Sequence, residues 1–164
     1  MDQHFPTHIC FVCLGNICRS PLAEGVFKRL AAQAGLDGRF HVESAGMGAW
    51  HVGEPPDPRS QSVALAHGVR LDSTARQFKA GDFARFDRVI ALDADIAADL
   101  RRLAPGEAER RKIHLLREYD PQARGDLDVP DPYYGGRADF ERVYQMIERS
   151  CRGLLEALRV STDK

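Results

Sequence analysis

The stretch Ile9-Cys10-Phe11-Val12-Cys13-Leu14-Gly15-Asn16-Ile17-Cys18-Arg19-Ser20-Pro21 decides how this chain is read. Its first four residues form an uninterrupted apolar run, the pattern of a strand buried on both faces. Gly15 and Asn16 mark a loop. Pro21 suits an early helical position, and Leu22, Val26 and Leu30 then recur at four-residue spacing. Strand, loop, helix is the order, with Cys13 at one end of the loop and Arg19 at the other. A helix N-terminus offers free backbone N–H groups and the positive end of its dipole, so a dianion above this loop meets several donors at once. Arg19 can grip two of its oxygens with the guanidinium fork. The same field favours Cys13 as thiolate, a nucleophile aimed at whatever the loop has captured. The competing reading makes Cys13 an inert strand end and Arg19 a solvated helix-start residue. An arginine in the first turn opposes the helix dipole, which counts against that reading unless an anion compensates.

Outward from this stretch, apolar runs alternate with helical patterns. Residues 40–43 leading to Ser44, residues 88–92 and residues 112–116 read as strands two to four. Helical patterns cover residues 60–67 and 93–103, and a last helix carries Phe140, Val143, Ile147, Cys151, Leu154 and Leu158 on one face. Alternating strands and helices predict an α/β fold: a single domain over residues 1–164, with its core at about 7–158. The predicted architecture is a doubly wound four-stranded parallel sheet with helices on both faces and a phosphate loop after strand 1. Ligands of such sheets bind at the carboxyl ends of the strands, where the strand order reverses. Residues 46–59 and 119–137, rich in Gly and Pro, read as long loops of the kind that carry function.

At 164 residues, 43% hydrophobic and 29% charged, the chain can bury a proper core. A formal charge of −1 argues against nucleic acid or an anionic membrane as the main partner. The first six residues carry no basic segment followed by an apolar run of signal length, so a cytoplasmic protein is expected. Four cysteines, three of them between positions 10 and 18, read as reduced thiols rather than a disulfide framework. Cys10 and Cys13 form a C-x-x-C pair, but on a strand an offset of three sends the two side chains to opposite faces, and no second ligand pair follows.

The second long loop contains Asp131-Pro132-Tyr133-Tyr134. Releasing an oxygen from phosphorus requires a proton, and a carboxylic acid on a loop over the site can supply it and later take one from water. Asp131 is the candidate, although an Asp before a Pro equally starts a plain turn. Tyr133, Tyr134 and Trp50 read either as packing residues or as walls of an aromatic pocket. No Gly-Lys-Ser/Thr loop is present to hold a nucleotide with magnesium.

Taken together these segments resemble the low-molecular-weight protein tyrosine phosphatases over about residues 7–158. Residues 12–21 resemble the family's phosphate loop. Ser44-Ala45-Gly46, Trp50-His51-Val52-Gly53 and Asp57-Pro58-Arg59 are similar to its second-strand and pocket segments; Asp131-Pro132-Tyr133-Tyr134-Gly135 resembles its acid loop, and Asp139-Phe140-Glu141 with Val143-Tyr144 its last helix.

The resemblance implies hydrolysis of phosphotyrosine or aryl phosphate monoesters through a phosphocysteine, with no cofactor and no metal. Cys13 is then the nucleophile, Arg19 and the amides of Leu14, Gly15, Asn16, Ile17 and Cys18 hold the phosphate, and Asp131 is general acid and base. Ser20 donates to the sulfur. The resemblance further implies that Asn16, in a strained or left-handed conformation, is tied to Ser44 and His67; His67 before Gly68 also reads as an ordinary helix-terminal histidine. Leu14, Trp50, Tyr133 and Tyr134 would wall a deep slot that admits the longer phosphotyrosine and strands phosphoserine. Cys18 reads either as the thiol that traps oxidised Cys13 as a disulfide or as a small packing residue. The expected partner is a phosphotyrosine-containing protein, with no nucleic acid and no membrane, and the chain is expected as a monomer or weak homodimer. Two rivals share the loop. An arsenate reductase needs a shuttle cysteine pair in mid-chain, and between Cys18 and Cys151 there is no cysteine. A non-catalytic phosphate-binding module typically lacks the nucleophile or the acid, and Cys13, Arg19 and Asp131 are all present.

Overall fold

In the computed structural model, β1 (Thr7–Cys13) lies inside a four-stranded parallel sheet of order β2-β1-β3-β4. Its neighbours are β2 (Phe40–Gly46) and β3 (Arg88–Ala91), with β4 (Ile113–Leu115) at the far edge. The model describes residues 5–162, so residues 1–4, read above for a leader, lie outside it. Among the described residues no helix is long and apolar enough to cross a membrane.

The unbroken apolar run of β1 follows from cover on both faces. Ile9, Phe11 and Cys13 face a core shared with Leu22, Val26 and Leu30 of α1 (Arg19–Gln33) and with Phe140, Val143, Ile147, Cys151, Leu154 and Leu158 of α5 (Arg137–Thr162). Cys10 and Val12 face the opposite core with Ile96, Ala97 and Leu100 of α3 (Ala94–Leu103) and with Phe78, Phe83 and Phe86. The C-x-x-C pair is thus split across the sheet. Burial pushes the thiols of Cys10 and Cys151 far up, so both remain neutral core residues.

The chain passes from β1 to β2 on one side and returns to β3 on the other, so the order reverses between β1 and β3. The carboxyl ends of these two strands open a crevice. Three helix starts converge near it. α2 (Pro58–Ala66) and α3 are capped by Asp57 and Asp93, whose carboxylates accept from the N–H groups of Arg59 and Ile96. The start of α1 has neither a side-chain cap nor an acidic residue in its first turn, which leaves its donors to an external anion. The four-residue helix α4 (Glu107–Arg110) follows the Pro105-Gly106 break; one turn is too short to show an apolar period. β4 ends one residue earlier than its apolar run because Leu116 opens a 3-10 turn (Leu116–Tyr119).

The segment leading from that turn to residue 129 is pinned by a buried carboxylate. Asp120 accepts from the N–H of Gln122 at 2.8 Å, from Arg149 of α5 at 3.2 and 3.4 Å, and from Arg117 at 3.3 Å. Arg117 in turn donates to the carbonyls of Asp126 and Asp128. Burial alone would raise the Asp120 pKa, but the Gln122 amide and the two guanidinium groups hold it below its ordinary value of 3.8. Its contribution to stability is therefore complete above that value and is lost as pH falls below it. Asp120→Asn is expected to cost about 3 kcal/mol at neutral pH, because it strands two guanidinium groups. The gap to wild type should close in acid; urea unfolding at several pH values measures it, and a pH-independent gap would contradict the assignment.

Candidate active site

The loop of residues 14–18 turns its carbonyls outward and its amides inward. The carbonyls of Cys13 and Leu14 accept from the N–H groups of Met47 and Gly48, and that of Ile17 accepts from Asp57 N–H at 2.8 Å. The N–H groups of Leu14, Gly15, Asn16, Ile17 and Cys18 donate to no acceptor among the described residues. Five donors thus ring the mouth of the α1 N-terminus, with Cys13 Sγ at the base of the ring. Two positions make this turn possible. Asn16 has φ 59°, a left-handed conformation that Asn tolerates better than most residues. At Gly46 a side chain would meet Leu14 O at 2.9 Å, so β2 can approach the loop only there as glycine.

The polar chain behind the loop has a fixed direction. Glu24 can only accept, taking the Lys28 ammonium on Oε2 and the Ser44 hydroxyl on Oε1, each at 2.6 Å. The Ser44 oxygen is then left to accept from Asn16 Nδ2 at 3.0 Å, and the second hydrogen on Nδ2 goes to Ser20 Oγ at 2.8 Å. Asn16 Oδ1 faces the N–H of Arg76, which fixes the orientation of the amide. Ser20 therefore has its own hydrogen free for Cys13 Sγ, 2.9 Å away, in preference to Ala45 O at 3.4 Å. His67 does not belong to this brace. It caps the C-terminus of α2 before Gly68, stacks on Tyr144 at 4.1 Å and bonds Glu141 at 2.7 Å. The backbone N–H of Arg76 occupies the remaining atom of the Asn16 amide, and the helix-terminal reading of His67 is the one that holds.

Arg19 is buried, with Nη1 committed to Asp93 Oδ2 at 2.7 Å and to Val129 O at 2.9 Å. Its Nη2 lies 3.8 Å from Asp131 Oδ2. Burial opposes the charge on Arg19, but Cys13, Asp93 and Asp131 together outweigh it and hold the proton more tightly than usual. Asp131 is half exposed, and its Oδ1 accepts from Tyr133 N–H at 3.1 Å. Cys18 lies in the same loop with its thiol pushed up to about 12, mainly by burial and then by the Asp57 carboxylate.

A cavity of about 240 Å³ opens above the loop, lined by Cys13, Leu14, Ile17, Arg19, Asp131 and Tyr133, with Trp50, His51 and Tyr134 at its margin. Trp50 is 71% exposed and Tyr134 96%, so their rings stand out as a rim rather than a closed wall. A larger groove of about 430 Å³ between α1 and residues 68–73 holds charged side chains but no cysteine.

Sequence reading of the site misses Asp93 and Glu24, and it meets His51 and Arg59 only inside segments similar to the family's pocket, with no role for either side chain. Asp93 had a readable signal: an acidic residue directly after a strand-like run, at a strand end where the sheet order reverses. For the contacts of the Arg59 side chain the resemblance of its segment is the whole signal, since its partner Tyr133 is 74 positions away.

A family model described as low molecular weight phosphotyrosine protein phosphatase matches residues 8–164. The low molecular weight protein-tyrosine-phosphatase of Streptomyces coelicolor is 55% identical over 152 residues, covering 92% of this chain and 93% of that protein. The low molecular weight phosphotyrosine protein phosphatase of Homo sapiens is 44% identical over 157 residues, covering 95% and 98%. Among solved structures, a protein tyrosine phosphatase from Entamoeba histolytica superposes with a TM-score of 0.91 at 35% identity, covering 95% of this chain and 99% of that one. With the amide ring, Cys13, Arg19 and Asp131 gathered at the β1–β3 crevice, the chain belongs to the low-molecular-weight phosphotyrosine protein phosphatase family.

Proposed function

We propose that this chain hydrolyses phosphotyrosine and other aryl phosphate monoesters in two steps. In the first, the Cys13 thiolate attacks phosphorus as the bond to the phenolic oxygen breaks, and Asp131 gives its proton to that oxygen. Arg19 and the amides of residues 14–18 carry the charge of the equatorial oxygens. In the second, Asp131, now a carboxylate, takes a proton from the water that attacks phosphorus, and the P–S bond breaks. The Ser20 hydroxyl stabilises the departing sulfur. The observation that carries the reading is that Cys13, the loop residues Leu14, Gly15, Ile17 and Cys18, Arg19 and Asp131 line one cavity, over a loop whose five amides meet no acceptor among the described residues. Leu14, Trp50, Tyr133 and Tyr134 give the ring of the substrate an apolar path to the sulfur, and a cavity this small suits one side chain rather than a nucleotide. The same reading covers a protein bearing phosphotyrosine as partner and a chain that works as a monomer or weak homodimer. A nucleophile that must stay reduced suits the cytoplasm.

The test is hydrolysis of para-nitrophenyl phosphate and a phosphotyrosyl peptide with EDTA present, with an acid quench to trap phosphate on the Cys13 peptide. Turnover with that adduct supports the reading; absence of both sinks it. Asp131→Asn is expected to lower kcat/KM for poorly leaving phenols by about 10²–10⁴-fold. The loss should grow as the phenol becomes a poorer leaving group; an equal loss across a series of phenols would exclude Asp131 as the acid.

Cys18 completes a redox proposal. Peroxide oxidises the Cys13 thiolate to a sulfenic acid, and the neighbouring Cys18 thiol displaces water from it to form a disulfide. Cys18, held protonated, is not the first sulfur oxidised. Peptide mapping after mild peroxide treatment should find the Cys13–Cys18 crosslink, reversible by thiol; sulfonic acid at Cys13 without a crosslink would exclude it.

A further inference from the structure

Arg59 stands at the start of α2, outside the ring of groups assigned to the reaction, and touches three parts of the site at once. Its Nε and Nη2 form a fork on Asp57, at 3.0 Å to Oδ1 and 2.9 Å to Oδ2. Asp57 is itself fixed, because its N–H donates to Ile17 O on the outer side of the phosphate loop and its carboxylate caps α2. The remaining nitrogen of the guanidinium, Nη1, donates to Tyr133 O at 2.8 Å and reaches Gly135 O at 3.5 Å. The plane of the group lies over Phe140 of α5 at 4.6 Å and near the Tyr133 ring at 5.3 Å.

These contacts matter because of what the Tyr133 peptide does on its other side. The N–H of Tyr133 donates to Asp131 Oδ1, which leaves Oδ2 turned toward Arg19 and the cavity. Among the described residues the remaining hydrogen bonds of this segment are its own: Gly135 N–H closes a turn on Pro132 O. Arg59 supplies the hydrogen bonds that tie the segment to another element, and it does so from a carboxylate anchored to the phosphate loop.

We propose that Arg59 is a positioning residue for the general acid. It sets the distance between the phosphate loop and residues 131–135, and through the Tyr133 peptide it fixes the rotation of the Asp131 carboxyl that carries the proton. Lysine cannot reproduce this, because one ammonium cannot span the Asp57 fork and the Tyr133 carbonyl together. The inference rests on the reading of Asp131 as the acid.

The experiment compares wild type, Arg59→Gln, Arg59→Lys, Asp131→Asn and the double variant Arg59→Gln/Asp131→Asn on a series of aryl phosphates with good to poor leaving phenols. The quantity read is kcat/KM, which reports the step in which the phenol departs. Changing the Arg59 side chain leaves its backbone N–H on Asp57, so the α2 cap survives, and thermal unfolding checks the fold of every variant. Arg59→Gln is expected to lose about 10-fold on phenyl phosphate, where a misplaced acid costs most, and about 2-fold or less on para-nitrophenyl phosphate, whose leaving group needs little help. Arg59→Lys should fall between wild type and Arg59→Gln, and the double variant should match Asp131→Asn alone. An equal loss across the series, no loss, or an additive double variant would overturn the proposal, and Arg59→Lys decides the point if Arg59→Gln does not fold. A flat series in Asp131→Asn would instead show that the acid itself is misassigned, an outcome separate from a failure at Arg59.

Discussion

Cys13→Ser is expected to lower turnover of para-nitrophenyl phosphate by about 10⁵-fold or more, to the level of the uncatalysed background. The substitution removes one kind of reactivity and little else. A serine hydroxyl is not ionised near neutral pH, and among the described residues its hydrogen-bond partner is the Ser20 hydroxyl, 2.9 Å from the sulfur, which is no base. In the proposed mechanism Asp131 works on the leaving oxygen, opposite the attacking group, and so cannot activate a group at the floor. Phosphate capture should survive, because the loop and Arg19 are held by backbone bonds from Met47, Gly48 and Asp57 and by Asp93, none of which touches the sulfur. The variant is therefore expected to bind inorganic phosphate within about 3-fold of wild type while failing to turn over. It should also retain phosphotyrosyl peptides as stable complexes, measurable by calorimetry. Activity within tenfold of wild type would mean that phosphorus is attacked by water directly and that no phosphocysteine forms.

The sheet and the nucleophile loop were legible in the sequence because they are written locally. An apolar run of four followed by Gly, Asn and a helical period needs no distant partner to interpret, and the free amides follow from the helix start. What the sequence hid are contacts between residues far apart in the chain. Asp93 meets Arg19 across 74 positions, and the Arg76 amide meets Asn16 across 60. His67 shows the same limit in reverse. A histidine next to a helix-ending glycine suits several environments, and only the packing of α5 against α2 gives it Glu141 and Tyr144. Asp131 is intermediate: its dipeptide reads equally as a plain turn, and its role depends on the loop being carried over the cavity by Val129, whose N–H bonds Leu92 O and whose carbonyl accepts from Arg19.

Arg19→Lys is expected to reduce kcat/KM by about 10³-fold although it preserves the charge. The reason lies in how the guanidinium is used. Nη1 is already consumed by Asp93 and Val129 O, which lock the plane of the group and leave its other edge for two phosphate oxygens. A lysine has three donors at one point, so it can satisfy Asp93 or the phosphate but not both with the required alignment. The Asp93 carboxylate, which also caps α3, should draw the ammonium away from the cavity. Arg19→Met removes the charge as well. It leaves Val129 O and the inner oxygen of Asp93 without their donor, so it should cost stability in addition to activity, whereas Arg19→Lys should unfold within a few degrees of wild type. Because the three equatorial oxygens spread into a plane in both transition states and the fork fits that geometry best, kcat should fall together with kcat/KM. A rise in KM with kcat intact would show instead that Arg19 only gathers substrate, and that the amide ring alone carries the developing charge.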